Sequence, residues 1–316
     1  MPLDRHAKRL LDLLSATTAG PSAPQSVEER RQTLRTLSEG AESEPETVSR
    51  VADTSIAADH GRIRIRIYEG RSARRGLAPA LVYLHGGGWV AGGLDTHDGF
   101  CRRLTNAAAC QVIAVDYRLA PEHRFPAALE DCLTVFRWTV ANAASLGLDA
   151  MRIGVGGDST GAGLAAAACY ALRDGGGAFP ALQLLVCPVL DPFGKAGSRL
   201  AFGEGFFVDR AVFEQDLNHY CRRRLDPRDL RLSPLLADSF AGLPPAIIHA
   251  AEFDPFRDEG QAYADALTRA GVEARAVTHP GMIHYFYAMA RAIPYADVAA
   301  AMIGSDVRDL FGDEAG

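Results

Sequence analysis

The apolar positions change period several times along the chain. Residues 5–19 set Leu10, Leu11, Leu13 and Leu14 among polar neighbours, the spacing of a short amphipathic helix. Gly20-Pro21-Ser22-Ala23-Pro24 breaks that pattern, and residues 26–38 are helical again but highly charged. Ile63, Ile65 and Ile67 then alternate with arginines, which predicts a half-exposed strand near a sheet edge. Beyond it the alternation stops. Continuous apolar runs fall at 80–84, 112–115, 152–155, 182–187, 246–250 and 274–278, and helical patterns at about 98–108, 124–144, 160–173, 256–270 and 291–311. Apolar strands separated by helices predict an α/β protein: a mostly parallel, twisted sheet with helices on both faces.

Two stretches fall outside this rhythm. Residues 1–62 precede the first predicted strand, and residues 188–245, with a helical pattern near 209–224, separate two strands that a normal crossover would join much sooner. We read the whole chain, 1–316, as a single catalytic domain. Its helical cap comes from about 1–50 and about 190–240 and lies over the carboxyl edge of the sheet, where open α/β sheets place their sites.

Charge and composition narrow the function. Lys+Arg is 33 against Asp+Glu 39, a formal charge of −6, which argues against nucleic-acid binding. Lys8 and Lys195 are the only lysines; neither sits in a P-loop, and Lys8 is poorly placed for a Schiff base. The six cysteines lack the close spacing of a zinc or redox motif, there is no H-E-x-x-H, and no cofactor or metal is asked for. Free buried thiols, an N-terminus without a signal-peptide core and the lack of an 18-residue apolar run predict a cytoplasmic protein without stable membrane insertion.

The candidate chemistry lies in the turns. Gly157-Asp158-Ser159-Thr160-Gly161 follows a predicted strand and opens an alanine-rich helix, the setting of a nucleophile elbow, in which small residues permit a tight turn that raises the serine hydroxyl above the sheet. His85-Gly86-Gly87-Gly88-Trp89 follows another strand; such a turn points backbone N–H groups into a pocket and can supply one wall of an oxyanion hole, with the N–H of Thr160 as another donor. His85 itself is expected to brace the turn. A serine nucleophile needs a base and an orienting carboxylate, in the chain order Ser, acid, His. Asp254 ends the loop after a predicted strand, whereas Asp258 and Glu259 sit in a first helical turn that the macrodipole already explains. His219 falls in the insert and His249 inside a strand. His279 and His284 both follow the last predicted strand, and spacing does not decide between them, although Gly281-Met282-Ile283 would give His284 a loop to project from.

Together these residues resemble the hormone-sensitive-lipase family of α/β-hydrolase esterases, the bacterial family IV. The turn at His85–Trp89 is similar to its HGGGW signature and the elbow to its G-D-S-A-G. Tyr117-Arg118-Leu119-Ala120-Pro121-Glu122 with Phe125-Pro126-Ala127, Asp254-Pro255-Phe256-Arg257-Asp258, and Gly281-Met282-Ile283-His284-Tyr285-Phe286 match further family blocks in the same order. The resemblance implies the α/β-hydrolase fold, Ser159 as nucleophile, His284 as base and Asp254 as its orienter. It also implies an oxyanion hole from the N–H groups of Gly87, Gly88 and Thr160, supported by His85, Gly86 and Asp158. Thr160, Ala162 and Tyr285 stand where the family has Ala, Gly and Gly, which bears on substrate range.

The expected function is hydrolysis of short- to medium-chain carboxylic esters through an acyl-enzyme, on a small-molecule substrate, with a homodimer as a plausible assembly. Trp89, Phe206, Phe207, Tyr285 and Phe286 are candidate pocket lining. An amidase or lactonase could use the same triad, and a non-catalytic binding protein could use the same fold. A nucleotide-binding reading of Gly86–Ala91 is disfavoured by Gly92-Gly93, which interrupts the helix it requires, and leaves the elbow unexplained.

Overall fold

The continuous apolar runs stand side by side in one sheet. The structure, a computed structural model, describes residues 2–17, 25–71, 76–221 and 225–312. Its strands are β1 (Arg50–Ala58), β2 (Gly61–Glu69), β3 (Ala78–Leu84), β4 (Gln111–Asp116), β5 (Leu148–Asp158), β6 (Gln183–Val186), β7 (Ala246–Phe253) and β8 (Ala274–Ile283). They form an 8-stranded sheet in the order β1-β2-β4-β3-β5-β6-β7-β8. The pairs β1/β2 and β2/β4 are antiparallel, and every pairing from β4 to β8 is parallel.

Successive side chains of the central strands point to opposite faces, and both faces are covered, which is why these strands carry continuous apolar runs rather than alternation. Ala80, Val82 and Leu84 of β3 join one core with α4 (Ala127–Ala141), α5 (Thr160–Gly175) and α8 (Arg257–Arg269). Leu81 and Tyr83 join the opposite core, with α3 (Asp98–Ala108) and α9 (Tyr295–Phe311). After β3 the chain moves outward to β4, then returns across β3 to β5. The carboxyl ends of β3 and β5 therefore flank the point where the winding reverses, the usual crevice of an open α/β sheet.

The remaining elements gather near that edge. The N-terminal stretch forms α1 (Arg5–Thr17) and α2 (Val27–Ala41). Ser26 and Glu29 make a reciprocal capping box at the start of α2. At its other end, Arg103 of α3 donates to both carboxylate oxygens of Glu42, each at 2.8 Å, and to the Tyr287 carbonyl at 2.8 Å. The stretch between β6 and β7 carries α6 (Gly197–Phe202) and α7 (Arg210–Tyr220), and Arg30 of α2 pairs with Asp216 of α7 at 3.1 Å. No described helix is long and apolar enough to cross a membrane.

Three expectations change. A strand precedes the first predicted one: β1 is an edge strand in which only Ile56 is buried, so its sequence lacks a strong apolar alternation. The last strand does not stop before His279 but runs through His279-Pro280 to Ile283. As the edge strand of the sheet, β8 tolerates a proline without losing a ladder bond. Gly281-Met282-Ile283 is thus strand rather than loop. The break expected at Gly20–Pro24 lies outside the described residues.

The close crossing of α9 on α3 depends on Gly304, where an added Cβ would collide with Ala107. Gly304→Val is expected to cost about 1–3 kcal/mol by overpacking. Urea denaturation measures it, and an undiminished midpoint would contradict this packing.

Candidate active site

Ser159 occupies the sharp turn between β5 and α5, with φ 53° and ψ −121°. A non-glycine residue in that region is strained and persists only where its surroundings hold it. Here the Ser159 N–H donates to Val186 O at 2.8 Å, and its carbonyl accepts from Val189 and Gly163 at 3.1 and 3.2 Å. Gly161 packs directly under the turn that follows β3; a Cβ on it would run into the carbonyl oxygens of Leu84 and His85. This close backbone approach explains the glycine of the elbow sequence.

The parallel strands β5, β7 and β8 end at one edge. Asp254 follows β7 and His284 follows β8, so both side chains meet the elbow. His284 Nε2 lies 2.9 Å from Ser159 Oγ, and His284 Nδ1 lies 2.7 Å from Asp254 Oδ2. The Phe256 N–H holds the other carboxylate oxygen of Asp254 at 2.7 Å. All three side chains are buried, with Ser159 at 8% exposure, His284 at 4% and Asp254 at 0%. An imidazole held between a carboxylate and a hydroxyl can draw the hydroxyl proton and make the oxygen a nucleophile.

His279 is elsewhere. It sits inside β8 with Nε2 2.9 Å from His249 Nδ1 and Nδ1 3.1 Å from the Tyr295 hydroxyl. Burial, aided by the neighbouring His249, pushes its pKa down to about 3.

Gly87, Gly88 and Thr160 line one cavity with Ser159 and His284. Gly87 and Gly88 have φ 123° and 69°, and a Cβ at Gly88 would collide with the Asp216 carboxylate. Thr160 opens α5, where first-turn N–H groups have no acceptor within the helix and the dipole is positive. His85 stacks on Tyr117 at 4.3 Å and places Nδ1 2.8 Å from Gly86 O. Burial and the nearby His97 push its pKa down to about 4. Asp158 lies beneath the elbow and accepts from the hydroxyls of Tyr83 and Tyr287, both at 2.7 Å, with His97 Nε2 at 3.3 Å. Burial raises its carboxyl, but His97 and the two hydroxyls outweigh burial and hold it below its ordinary value.

The cavity measures about 910 Å³. Leu10, Leu14 and Leu37 of the N-terminal helices line it, with Val208, Val212 and Phe213 of the insert. Phe207 and Tyr285 line it too, but three expected lining residues do not. Trp89 is buried against Tyr220, stacked at 4.7 Å; Phe206 turns away to stack on Phe253 at 5.7 Å; Phe286 packs on His279 at 5.0 Å. In each case a neighbouring ring offered closer packing than the cavity did.

Sequence reading missed several residues here. Glu259 does more than complement a helix dipole: it accepts from the N–H groups of Leu190 and Asp191 at 2.7 and 2.9 Å and from Arg199 Nε at 2.8 Å. Burial still raises its pKa to about 7 against those partners. Arg30 and Asp216 lie on separate stretches, both line the cavity, and no local motif marks either. Cys187, just after β6 with φ 45°, brings its sulfur within 4.8 Å of Asp254 and His284. All six cysteines are buried.

A family model described as an α/β-hydrolase fold matches residues 81–288. A carboxylic ester hydrolase, LipN, of Mycobacterium tuberculosis is 45% identical over 70% of this chain, a match that spans only 60% of that relative. Carboxylesterase NlhH of the same species is 39% identical, covering 93% of this chain and 92% of its own. An arylesterase of Saccharolobus solfataricus is 34% identical over 98% of this chain and 100% of its own. Among solved structures, ester-hydrolase EH1AB1 from the Lake Arreo metagenome superposes with TM-score 0.95 at 42% identity, covering 98% of this chain and 100% of that one. A hyperthermophilic esterase of Pyrobaculum calidifontis superposes with TM-score 0.90 at 36% identity, covering 98% and 99%.

The Arg30–Asp216 pair generates a pH prediction. Burial raises the Asp216 carboxyl from 3.8 to about 6, against the opposing pull of Arg30. Between those values the folded protein keeps a proton that the unfolded chain has released, so this group's contribution to stability is present below about pH 4 and is lost by about pH 6. Asp216→Asn does not titrate. Its stability relative to the parent is expected to rise across that window by up to about 3 kcal/mol. Urea denaturation at the two ends of the window measures it, and a constant difference would contradict it.

Proposed function

The chain belongs to the α/β-hydrolase family, and from that premise we propose that it is a serine carboxylesterase of the hormone-sensitive-lipase type, acting on small-molecule esters of short to medium chain. The observation that carries this reading is the continuous hydrogen-bonded series Asp254–His284–Ser159 opening on the cavity.

In the mechanism, His284 Nε2 takes the proton of Ser159 Oγ as the oxygen attacks the ester carbonyl. Asp254 holds Nδ1–H, fixing the tautomer and stabilising the imidazolium that forms. The N–H groups of Gly87, Gly88 and Thr160 receive the developing oxyanion, at about 3 kcal/mol for one such donor in another serine hydrolase. Collapse of the tetrahedral species expels the alcohol, which leaves with the proton from His284. Water, deprotonated by His284 in turn, attacks the acyl-enzyme and releases the acid.

Asp158 and Gly86 support the oxyanion turn from below, and His85 braces it as a neutral ring. The helices α1, α2 and α7 with the residues around them act as a cap, and their apolar side chains suit the hydrocarbon arms of an ester. The six buried cysteines, with no disulfide among the described residues, favour a reducing compartment.

Ser159→Ala is expected to lower kcat on p-nitrophenyl butyrate by a factor on the order of 10⁴ or more, with the melting temperature preserved. His284→Ala is expected to show a comparable loss, while His279→Ala retains most activity. Undiminished turnover by Ser159→Ala would refute the reading, and a deep loss confined to His279→Ala would move the base.

A further inference from the structure

Two aromatic side chains enter the cavity from backbone that favours glycine. Phe207 has φ 78° and Tyr285 φ 66°, in the left-handed region that bulky residues avoid. They come from stretches far apart in sequence, yet their rings stack with centroids 5.8 Å apart and an interplanar angle of 12°. Both line the cavity that holds Ser159 and His284. Two bulky residues strained in the same way, facing each other at one cavity, indicate that the placement of the rings outweighs the cost of the backbone.

Tyr285 is fixed more firmly than stacking alone requires. Its hydroxyl donates to Thr96 O at 3.1 Å and lies 3.1 Å from Ser38 Oγ of α2. Its ring also meets His97 edge-on at 5.6 Å. The side chain therefore joins α2, the loop before α3 and the segment carrying Phe207, directly after the candidate base. Phe206, next in sequence to Phe207, stacks on Phe253 instead of lining the cavity, so adjacent rings of this segment serve different neighbours. In the family motif that the sequence resembles, the position of Tyr285 is glycine, which would leave this wall absent.

We infer that the Phe207–Tyr285 stack is the specificity wall of the cavity: it stops one arm of the ester and confines the enzyme to substrates in which that arm is short. This rests on the carboxylesterase reading and adds which residues set the substrate class. The rings fill space that an acyl or alcohol chain would otherwise enter, and rejection of added methylenes by such a wall is steric.

The test uses the full chain and two ester series: p-nitrophenyl esters from acetate to decanoate, and acetates of increasingly long alcohols. Phe207→Gly and Tyr285→Gly remove the rings and suit both φ values, so neither strains the backbone. Each is expected to raise the kcat/KM ratio of long to short substrates by about tenfold or more in one series. Tyr285→Phe keeps the ring and is expected to keep the parent's ratio. Unchanged ratios for both glycine variants in both series would overturn the inference. So would a shift in Tyr285→Phe as large as in Tyr285→Gly, which would assign the effect to the hydroxyl ties, and so would unfolding of both glycine variants, which would make the rings core rather than wall. If the parent hydrolyses neither series, the carboxylesterase reading itself fails, a result distinct from unchanged ratios in an active enzyme.

Discussion

Backbone packed on backbone at the carboxyl ends of β3 and β5 is the constraint on which the site depends. Leu84 ends β3, and its carbonyl sits where a Cβ of Gly157 or Gly161 would be. Only glycines let the two turns come this close, and their contact holds Ser159 in a conformation it would not keep alone. The same contact places the glycine turn of His85–Gly88 beside the serine. A Cβ at Gly86 would strike the Asp158 carboxylate, so the acid beneath the elbow also presses against that turn. The hydroxyl, the glycine amides and the first amides of α5 are thereby fixed relative to one another before any substrate arrives, which is what preorganised stabilisation of a developing charge requires.

The buried carboxylates around this centre show how environment sorts one functional group into different roles. Asp158 has three donors and lies below its ordinary value despite complete burial. Asp254 also has fixed donors, one of them the imidazole between it and the serine. Asp216 pairs with Arg30, and burial prevails, lifting it to about 6. Glu259 ties the start of the β6–β7 insert to α8 and still lies near 7. Donors and desolvation compete at each of these sites: at Asp158 the donors prevail, whereas at Asp216 and at Glu259, despite its several partners, burial does.

Much of this was legible in the sequence because the chemistry is local. The elbow and the glycine turn are each a few residues long, follow apolar strands, and carry their own steric explanation. The choice between His279 and His284 was not legible from spacing, because it depends on where an edge strand ends; β8 runs through Pro280 and leaves His279 locked against His249. β1 was missed for a related reason, since an exposed edge strand need not show apolar alternation. Trp89, Phe206 and Phe286 are candidate lining by sequence, yet each packs on a neighbouring ring instead. Arg30 and Asp216 meet only because α2 and α7 converge, and no pattern within either helix announces that.

Phe207 and Tyr285 were visible as aromatics near the site, but the informative property was invisible: the sign of φ. A sequence reports that a ring is present, not that the backbone beneath it would be better served by glycine. At Ser159 the positive φ is explained by a hydroxyl that must stand above the sheet. At Cys187 it accompanies a sulfur brought close to the Asp254 carboxylate. At Phe207 and Tyr285 it accompanies rings delivered into the cavity. Left-handed backbone also occurs at Trp89, stacked on Tyr220, and at Ala109, the C-cap of α3, so the sign of φ alone does not mark the site. At Phe207 and Tyr285 the strain coincides with two rings stacked on each other at the cavity, and that coincidence is what ties the strained backbone there to function.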